Sequence, residues 1–194
     1  IFGCVMAMLK WDFTKLSTNK YETNSYEIND DYKNISVVTN TADISFVPSE
    51  NSKCSVVCYE QKNVKHSVAV KDDTLVIEVV DTKKWYEHIS INFGTPKITV
   101  YIPQGEYGAL SVKSNTGDVE IPENFKFESI DISVSTGDAK NYASASEVIK
   151  IKTSTGAVRV ENVSAGTLDL SVSTGKVIAQ SITCEGEIKI KVST

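Results

Sequence analysis

Apolar and polar residues alternate over much of this chain, and the alternation recurs at a nearly fixed spacing. Four alternating stretches end in a Thr-Gly pair, with glycines at Gly117, Gly137, Gly156 and Gly175, which are 20, 19 and 19 residues apart. Alternation with a period of two predicts strands with one buried face. A Thr-Gly pair between two such stretches predicts a corner, because glycine adopts backbone angles that other residues avoid. Each repeat is therefore expected to contain two short strands and two turns.

A repeat of this length cannot bury its own apolar face, but stacked repeats share a continuous core. The sequence therefore predicts an all-β chain folded as a β-solenoid, with coils of about 20 residues and strands about 4.8 Å apart. Two sets of outward positions support parallel stacking in register, because acidic or hydroxyl residues alternate with lysines in each set. The first set is Ser111, Asp131, Lys150, Asp169 and Lys189, and the second is Lys113, Ser133, Lys152, Ser171 and Lys191.

A fainter copy of the repeat lies upstream. Residues 35–46 align with residues 110–121 without a gap. We therefore predict one β-solenoid domain over residues 34–194, with regular repeats at 108–194. Residues 54–103 carry longer strands, which we interpret as wider early coils or a hairpin sheet. A hairpin turn is expected at Asp72-Asp73.

The start of the chain has a different character. Residues 1–9 are almost entirely apolar and are followed by Lys10 and Trp11. Nine residues are too few to span a bilayer, so we interpret 1–9 as the outer end of a membrane-anchoring segment. A short buried helix or strand of the fold is the alternative. Residues 10–33 are polar and are predicted to form a juxtamembrane spacer that ends in a first edge strand near Tyr26–Ile28.

The repeats, together with "WDFTKL" at residues 11–16, resemble the bacterial putative-adhesin domain family, whose toastrack-like domains have no established function. The resemblance covers residues 10–194 and rests on "VSTGDV"-like coils. It implies a single-stranded, right-handed β-solenoid on the outer side of a bacterial cytoplasmic membrane. Members are associated with adhesion by name, and some with envelope-stress signalling. The resemblance implies no catalytic residues.

Charge and cysteine content narrow the function classes. The net charge of −5 and the isoelectric point of about 5.1 leave no basic excess to neutralise phosphates, so nucleic acid is not an expected partner. Cys54 and Cys58 share one face of a predicted strand but lie about 13 Å apart, beyond the reach of a disulfide. Buried free thiols are the expected state of these cysteines.

Candidate chemical groups are few. The two histidines, His66 and His88, are expected to lie apart from any hydroxyl, thiol or carboxylate that would complete a catalytic triad. Asp118 and Asp138 follow motif glycines and could bind calcium as a pair, although bonds to backbone N–H groups are the expected role of an aspartate in a turn. No catalytic, cofactor-binding or metal-binding residue is predicted, no cofactor is expected, and binding residues stay unassigned.

An aromatic group at Trp85, Tyr86 and Phe93 allows two interpretations. It could be an exposed platform for a ligand, or it could cap the wide end of the solenoid. The capping role is the expected one.

We therefore predict a non-catalytic, membrane-anchored binding module facing the outside of a bacterial cell. Its expected partner is a macromolecule of the cell envelope or of a host surface, either protein or glycan. An envelope-stress sensor and a structural spacer are the alternatives, and an enzyme acting on polysaccharide is a further one. The open end of the solenoid also predicts an end-to-end homodimer.

Overall fold

The computed structural model describes residues 21–81 and 94–193, and every regular element in them is a β-strand. The strands are β1 (Tyr21–Ile28), β2 (Asn34–Thr41), β3 (Asp43–Pro48), β4 (Cys54–Gln61), β5 (Val64–Lys71), β6 (Thr74–Asp81), β7 (Lys97–Ile102), β8 (Gly105–Thr116), β9 (Val119–Ile121), β10 (Phe125–Thr136), β11 (Ala139–Asn141), β12 (Ser144–Cys184) and β13 (Ile188–Val192). The predicted all-β class is confirmed. Among the described residues there is no helix of the length and apolar character that crossing a membrane requires.

One face of the molecule is a parallel sheet in the order β6-β2-β8-β10-β12-β13. Its register joins equivalent positions of successive repeats: Ile130 pairs with Leu110 on one side and with Ile149 on the other. The side chains of all three are buried. The alternation in the sequence is therefore the alternation between core and solvent on a stacked, solenoid-like sheet.

The opposite face is a second parallel run in the order β7-β3-β9-β11-β12. β9 and β11 have only three residues each, because they occupy the stretch between a motif corner and the next turn. β12 pairs on both faces, with β10 through residues such as Ile149 and with β11 through Val158 and Val160. The apolar side chains of the two faces meet in one core.

Antiparallel strands close the N-terminal end. β5 and β6 form a hairpin whose turn residues, Asp72 and Asp73, have φ angles of 47° and 58°. The predicted turn is confirmed, and these angles suit a tight hairpin connection. β4 pairs with β5 and also with β7, so it joins the two faces, and β1 pairs with β4 at one end of the order of described strands. The predicted domain bounds stay predictions, and residues 1–20 and 82–93 lie outside the described part.

The upstream copy of the repeat is confirmed by direct strand pairing. Ile35 lies beside Leu110, Thr41 beside Thr116, and Ile44 beside Val119. This is the register of the gapless alignment. Residues far apart in sequence therefore lie in adjacent coils, and strands β4 to β7 from the described part of the intervening segment pair at the N-terminal end.

The C-terminal edge is left open within the described residues. Leu168 and Leu170 on β12 are 1% and 0% exposed, whereas Ile188 and Ile190, which lie beside them on β13, are 51% and 48% exposed. The β13 residues carry the same apolar pattern, and no other described strand packs beyond them. End-to-end pairing of two copies through this edge stays a prediction.

Each corner depends on a stacked glycine. Gly117, Gly137, Gly156 and Gly175 have φ between 128° and 142°, a region that side-chain-bearing residues avoid. A Cβ on Gly137 would overlap the carbonyl oxygen of Gly117, and each later glycine meets the preceding one in the same way. The motif glycine is therefore required both by its own backbone angle and by the coil beneath it.

Replacing Gly137 with alanine is expected to lower the free energy of unfolding by at least about 2 kcal/mol, because backbone strain and a clash with backbone atoms add together. Gly105 is the matched control, since a Cβ there meets nothing within 4 Å. Gly105→Ala should change stability by less than about 0.5 kcal/mol. Urea unfolding of the two variants checks this, and equal losses would contradict the role of the corner.

Candidate functional site

The outward positions of the first face form the predicted ladders. Asp131 lies between Ser111 and Lys150, and Ser133 lies between Lys113 and Lys152. Opposite or neutral side chains are therefore neighbours, which avoids repulsion between like charges on adjacent strands. The predicted alternation across these coils is confirmed.

A shallow groove of about 450 Å³ follows the second ladder where the strands approach the glycine corners. We call it the ladder groove. Its lining residues are Val38, Thr39, Asn40, Lys113, Ser114, Asn115, Ser133, Val134, Ser135, Lys152 and Ser154. Two lysines line it, and the other lining side chains are hydroxyls, amides and two valines. No carboxylate of the described residues lines it, so its charge is positive on a protein whose net charge is negative.

A second groove, of about 500 Å³, lies near the other end of the same strands. Its charged residues neutralise one another. Lys33 Nζ lies 2.6 Å from Glu128 Oε1, and Lys126 Nζ lies 3.7 Å from Glu106 Oε1. The ladder groove is therefore the better candidate for an anionic ligand.

The two turn aspartates have a structural role. The Asp118 carboxylate accepts a hydrogen bond from the Asp138 backbone N–H at 2.8 Å, and the Asp138 carboxylate accepts one from Ala157 N–H at 2.7 Å. Each carboxylate thus caps the next coil, as expected for aspartate in a turn.

Trp85, Tyr86, Phe93 and His88 lie outside the described residues.

His66 belongs to a buried polar network, so the prediction that it lies apart from hydroxyl, thiol and carboxylate groups is wrong. Its Nδ1 is 2.7 Å from Glu60 Oε2, and its Nε2 is 2.9 Å from Thr39 Oγ1. Thr39, Glu60 and His66 are 3%, 0% and 4% exposed. The three groups have the order hydroxyl, imidazole, carboxylate, but they lie beneath the surface.

Neighbouring strands hold this network in place. Glu60 Oε2 also accepts the His66 backbone N–H at 2.7 Å, and Glu60 Oε1 accepts Asn24 Nδ2 at 2.7 Å. The Tyr26 hydroxyl donates to the His66 carbonyl at 3.0 Å. Strands β1, β2, β4 and β5 thus all contribute, at the place where β4 joins the two faces.

Cys58 completes the cluster. Its Sγ, a Glu60 carboxylate oxygen and a His66 ring nitrogen all lie within 4.8 Å of one another. Burial, assisted by the negative charge of Glu60, raises the pKa of the Cys58 thiol to about 12. Burial also raises the pKa of Cys54. Cys54 and Cys58 are free and buried, as expected.

Sequence reasoning could have found part of this cluster. Glu60 and His66 flank a tight β4–β5 connection in which Gln61 pairs with Val64, so their sequence separation of six brings them together. The connection lacks the Asn-Gly or Asp-Gly pair that is typical of tight hairpin turns, so the sequence did not predict a hairpin there. Thr39 comes from a distant strand and had no local signal at all.

Comparison with known proteins agrees with this fold. Residues 32–192 match the Toastrack DUF4097 family. The chain belongs to this family. A comparison with curated proteins finds no match.

Several solved structures resemble this Toastrack chain at low identity. A putative cell adhesion protein from Clostridium sporogenes is 11% identical, with 90% of this chain and 100% of that chain covered and a TM-score of 0.50. A putative adhesin from Bacteroides fragilis is 18% identical, with coverages of 91% and 98% and a TM-score of 0.39. A putative lipid binding protein from Parabacteroides distasonis is 16% identical, with coverages of 92% and 98% and a TM-score of 0.36. The Clostridium structure supports the shared fold and nothing about a ligand.

Replacing Thr39 with valine tests the buried network. Valine keeps the shape but leaves a buried imidazole nitrogen without its hydroxyl partner, so the free energy of unfolding should fall by about 1–3 kcal/mol. Thr153→Val is the matched control in the same inward column. Thr153 contacts the carbonyl oxygens of Gly137 and Thr155, and Thr155 O also accepts a hydrogen bond from Gly137 N–H. Loss of the Thr153 hydroxyl therefore leaves that carbonyl paired. Guanidinium unfolding should show the smaller loss for Thr153→Val. Equal losses would argue against the Thr39–His66 contact.

Proposed function

We propose that this Toastrack domain is a non-catalytic binding module, anchored in a bacterial membrane and exposed outside the cell, and that the ladder groove is its binding surface. The observation that carries the proposal is the positive, carboxylate-free groove on an otherwise acidic chain. Solenoid sheets present long regular surfaces suited to extended partners. The expected partner is an acidic glycan of an envelope or host surface.

The spacing of charges in the groove supports an extended polymer. Lys113 and Lys152 lie on either side of Ser133, so their strands are separated by two strand spacings, about 9.6 Å. The Ser133 hydroxyl lies between them on β10, and on the other side of Lys113 the amide Nδ2 of Asn115 lies 3.4 Å from Asn40 Oδ1. Hydroxyls and amides can hydrogen-bond sugar hydroxyls, while the ammonium groups attract carboxylates repeated along a chain.

We further propose that the solenoid is single-stranded and right-handed, with about 20 residues in each coil. The pairing of Leu110, Ile130 and Ile149 in one register supports the coil size. The handedness rests on the general preference of connections between parallel strands.

Catalysis by the Thr39–His66–Glu60 network is the competing interpretation. These side chains have the polar groups of a hydrolytic triad. However, Thr39 alone of the three lines the ladder groove, and it is only 3% exposed. His66 and Glu60 do not line the groove and are 4% and 0% exposed, so a polysaccharide in the groove has no access to the imidazole or the carboxylate. Burial therefore favours a structural role for the network and a binding role for the surface.

Binding of acidic polysaccharide should depend on the two groove lysines. We expect Lys113→Ala/Lys152→Ala to weaken binding of polygalacturonate at least tenfold, because both attractive charges are removed, and we expect dextran, a neutral glycan, to bind neither protein. Binding should also weaken as salt is raised. Calorimetry at two ionic strengths measures both effects.

Lys150→Ala/Lys189→Ala is the matched control, since it removes the same charge from outward positions that do not line the groove. It should bind polygalacturonate within about twofold of the parent domain if the groove is the site. Equal losses in the two double variants would contradict a localised surface, and no binding by the parent domain would leave the spacer interpretation.

Membrane anchoring is tested separately. In bacterial cells the full-length protein should sediment with membranes and be cleaved by protease added outside intact cells. Recovery in the cytosolic fraction, protected from that protease, would contradict this part of the proposal.

A further inference from the structure

We propose that Cys58, Glu60 and His66 form a binding site for Zn²⁺. The three side chains offer sulfur, oxygen and nitrogen ligands, the set that zinc takes in proteins. They come from β4 and β5, and all three are at least nine-tenths buried. This proposal does not depend on the ladder groove.

The spacing of the ligand atoms suits a tetrahedral ion after a small adjustment. Zinc at about 2.0–2.3 Å from each ligand places the ligand atoms about 3.3–3.6 Å apart. All three candidate atoms now lie within 4.8 Å of one another, and Glu60 Oε2 is 2.7 Å from His66 Nδ1. Binding therefore requires the Glu60–His66 pair to open by roughly half an ångström while Cys58 moves inward.

The groups around the cluster are those that hold metal ligands in position. Thr39 Oγ1 is 2.9 Å from His66 Nε2, so it can accept the proton on that nitrogen and leave Nδ1 free to bind the ion. Asn24 Nδ2 donates to Glu60 Oε1, which leaves Oε2 facing His66. Both ligands are thus oriented by partners from other strands. The described residues supply these three ligands.

The location indicates what the ion does. β4 is the strand that pairs with both β5 and β7 and so joins the two faces of the molecule. An ion bound by side chains of both β4 and β5 links these strands where the two faces join. Metal binding to the folded chain alone also increases its stability. Zinc is therefore expected to act as a structural element of the N-terminal end.

Titration of the metal-free full chain with Co²⁺ and then Zn²⁺ tests the site. Co²⁺ should bind in one equivalent with a thiolate-to-metal absorption band, and Zn²⁺ should displace it. At a hundredfold excess over its dissociation constant, Zn²⁺ should raise the melting temperature by about 5 °C or more. No thiolate band with Co²⁺, or no thermal shift with Zn²⁺, would overturn the proposal.

Cys58→Ser should abolish the band and weaken Zn²⁺ binding at least tenfold. Cys54→Ser is the matched control, because Cys54 is a second buried free thiol four residues earlier on the same face of β4. It should keep both the band and the thermal shift, and circular dichroism confirms that each variant is folded. A band that persists in Cys58→Ser, or that disappears in Cys54→Ser, would place the metal elsewhere and overturn the assignment.

Should Cys58→Ser fail to fold, the parent chain still decides the matter. Without denaturant, Zn²⁺ should slow alkylation of Cys58 at least tenfold more than it slows alkylation of Cys54, as read by peptide mass spectrometry. Equal protection of both thiols would show general stabilisation without a bond to Cys58 and would contradict the site.

Discussion

The stacking of one coil's glycine on the carbonyl oxygen of the coil before it is the constraint on which the rest of this structure depends. At Gly137 and Gly156 there is no room for a side chain, and the backbone angle excludes most residues. This contact fixes where each chain reversal occurs. Once the reversals are aligned, the strands on both faces must pair in register, and the apolar positions must point into the same core. The strand register, the core and the outward ladders therefore all follow from the contact between each motif glycine and the carbonyl oxygen of the glycine in the coil before it.

The N-terminal end of the stack is closed by antiparallel strands and a buried polar network, without stacked glycine corners. A parallel stack leaves an unpaired strand at each end, with free N–H and C=O groups. Here the hairpin of β5 and β6 extends one face, and β4 joins that hairpin to β7 on the other. The junction is filled by polar side chains, including Glu60 and His66, which are tied to four strands by hydrogen bonds. A buried polar junction is costly unless every group is paired, so the network also specifies how β1, β2, β4 and β5 meet.

The repeated part of this fold was predictable because its information is local. Alternation gave the buried column through Leu110, Ile130 and Ile149, and the gapless match of Ile35 with Leu110 turned out to be a spatial register. The junction was not predictable in the same way. His66 meets Thr39 because β6 pairs in parallel with β2 and antiparallel with β5. Neither residue lies in a local sequence pattern that predicts this contact. The ladder groove was predictable only in part. The repeat predicts its column of lysine and serine side chains, but the depth of the groove and the lack of carboxylates among its lining residues are seen only in the folded structure.

The open edge at β13 has a consequence for how such a molecule changes in length. Each outward and inward column continues from coil to coil by translation, with offsets of 19 or 20 residues. An insertion or deletion of one whole coil therefore preserves every column and leaves the N-terminal junction untouched. Loss of a single residue within a strand instead reverses the inside and outside of all positions up to the next corner. The fold therefore tolerates the gain or loss of whole coils but not of single residues within a strand, so its length can change without altering its surface chemistry.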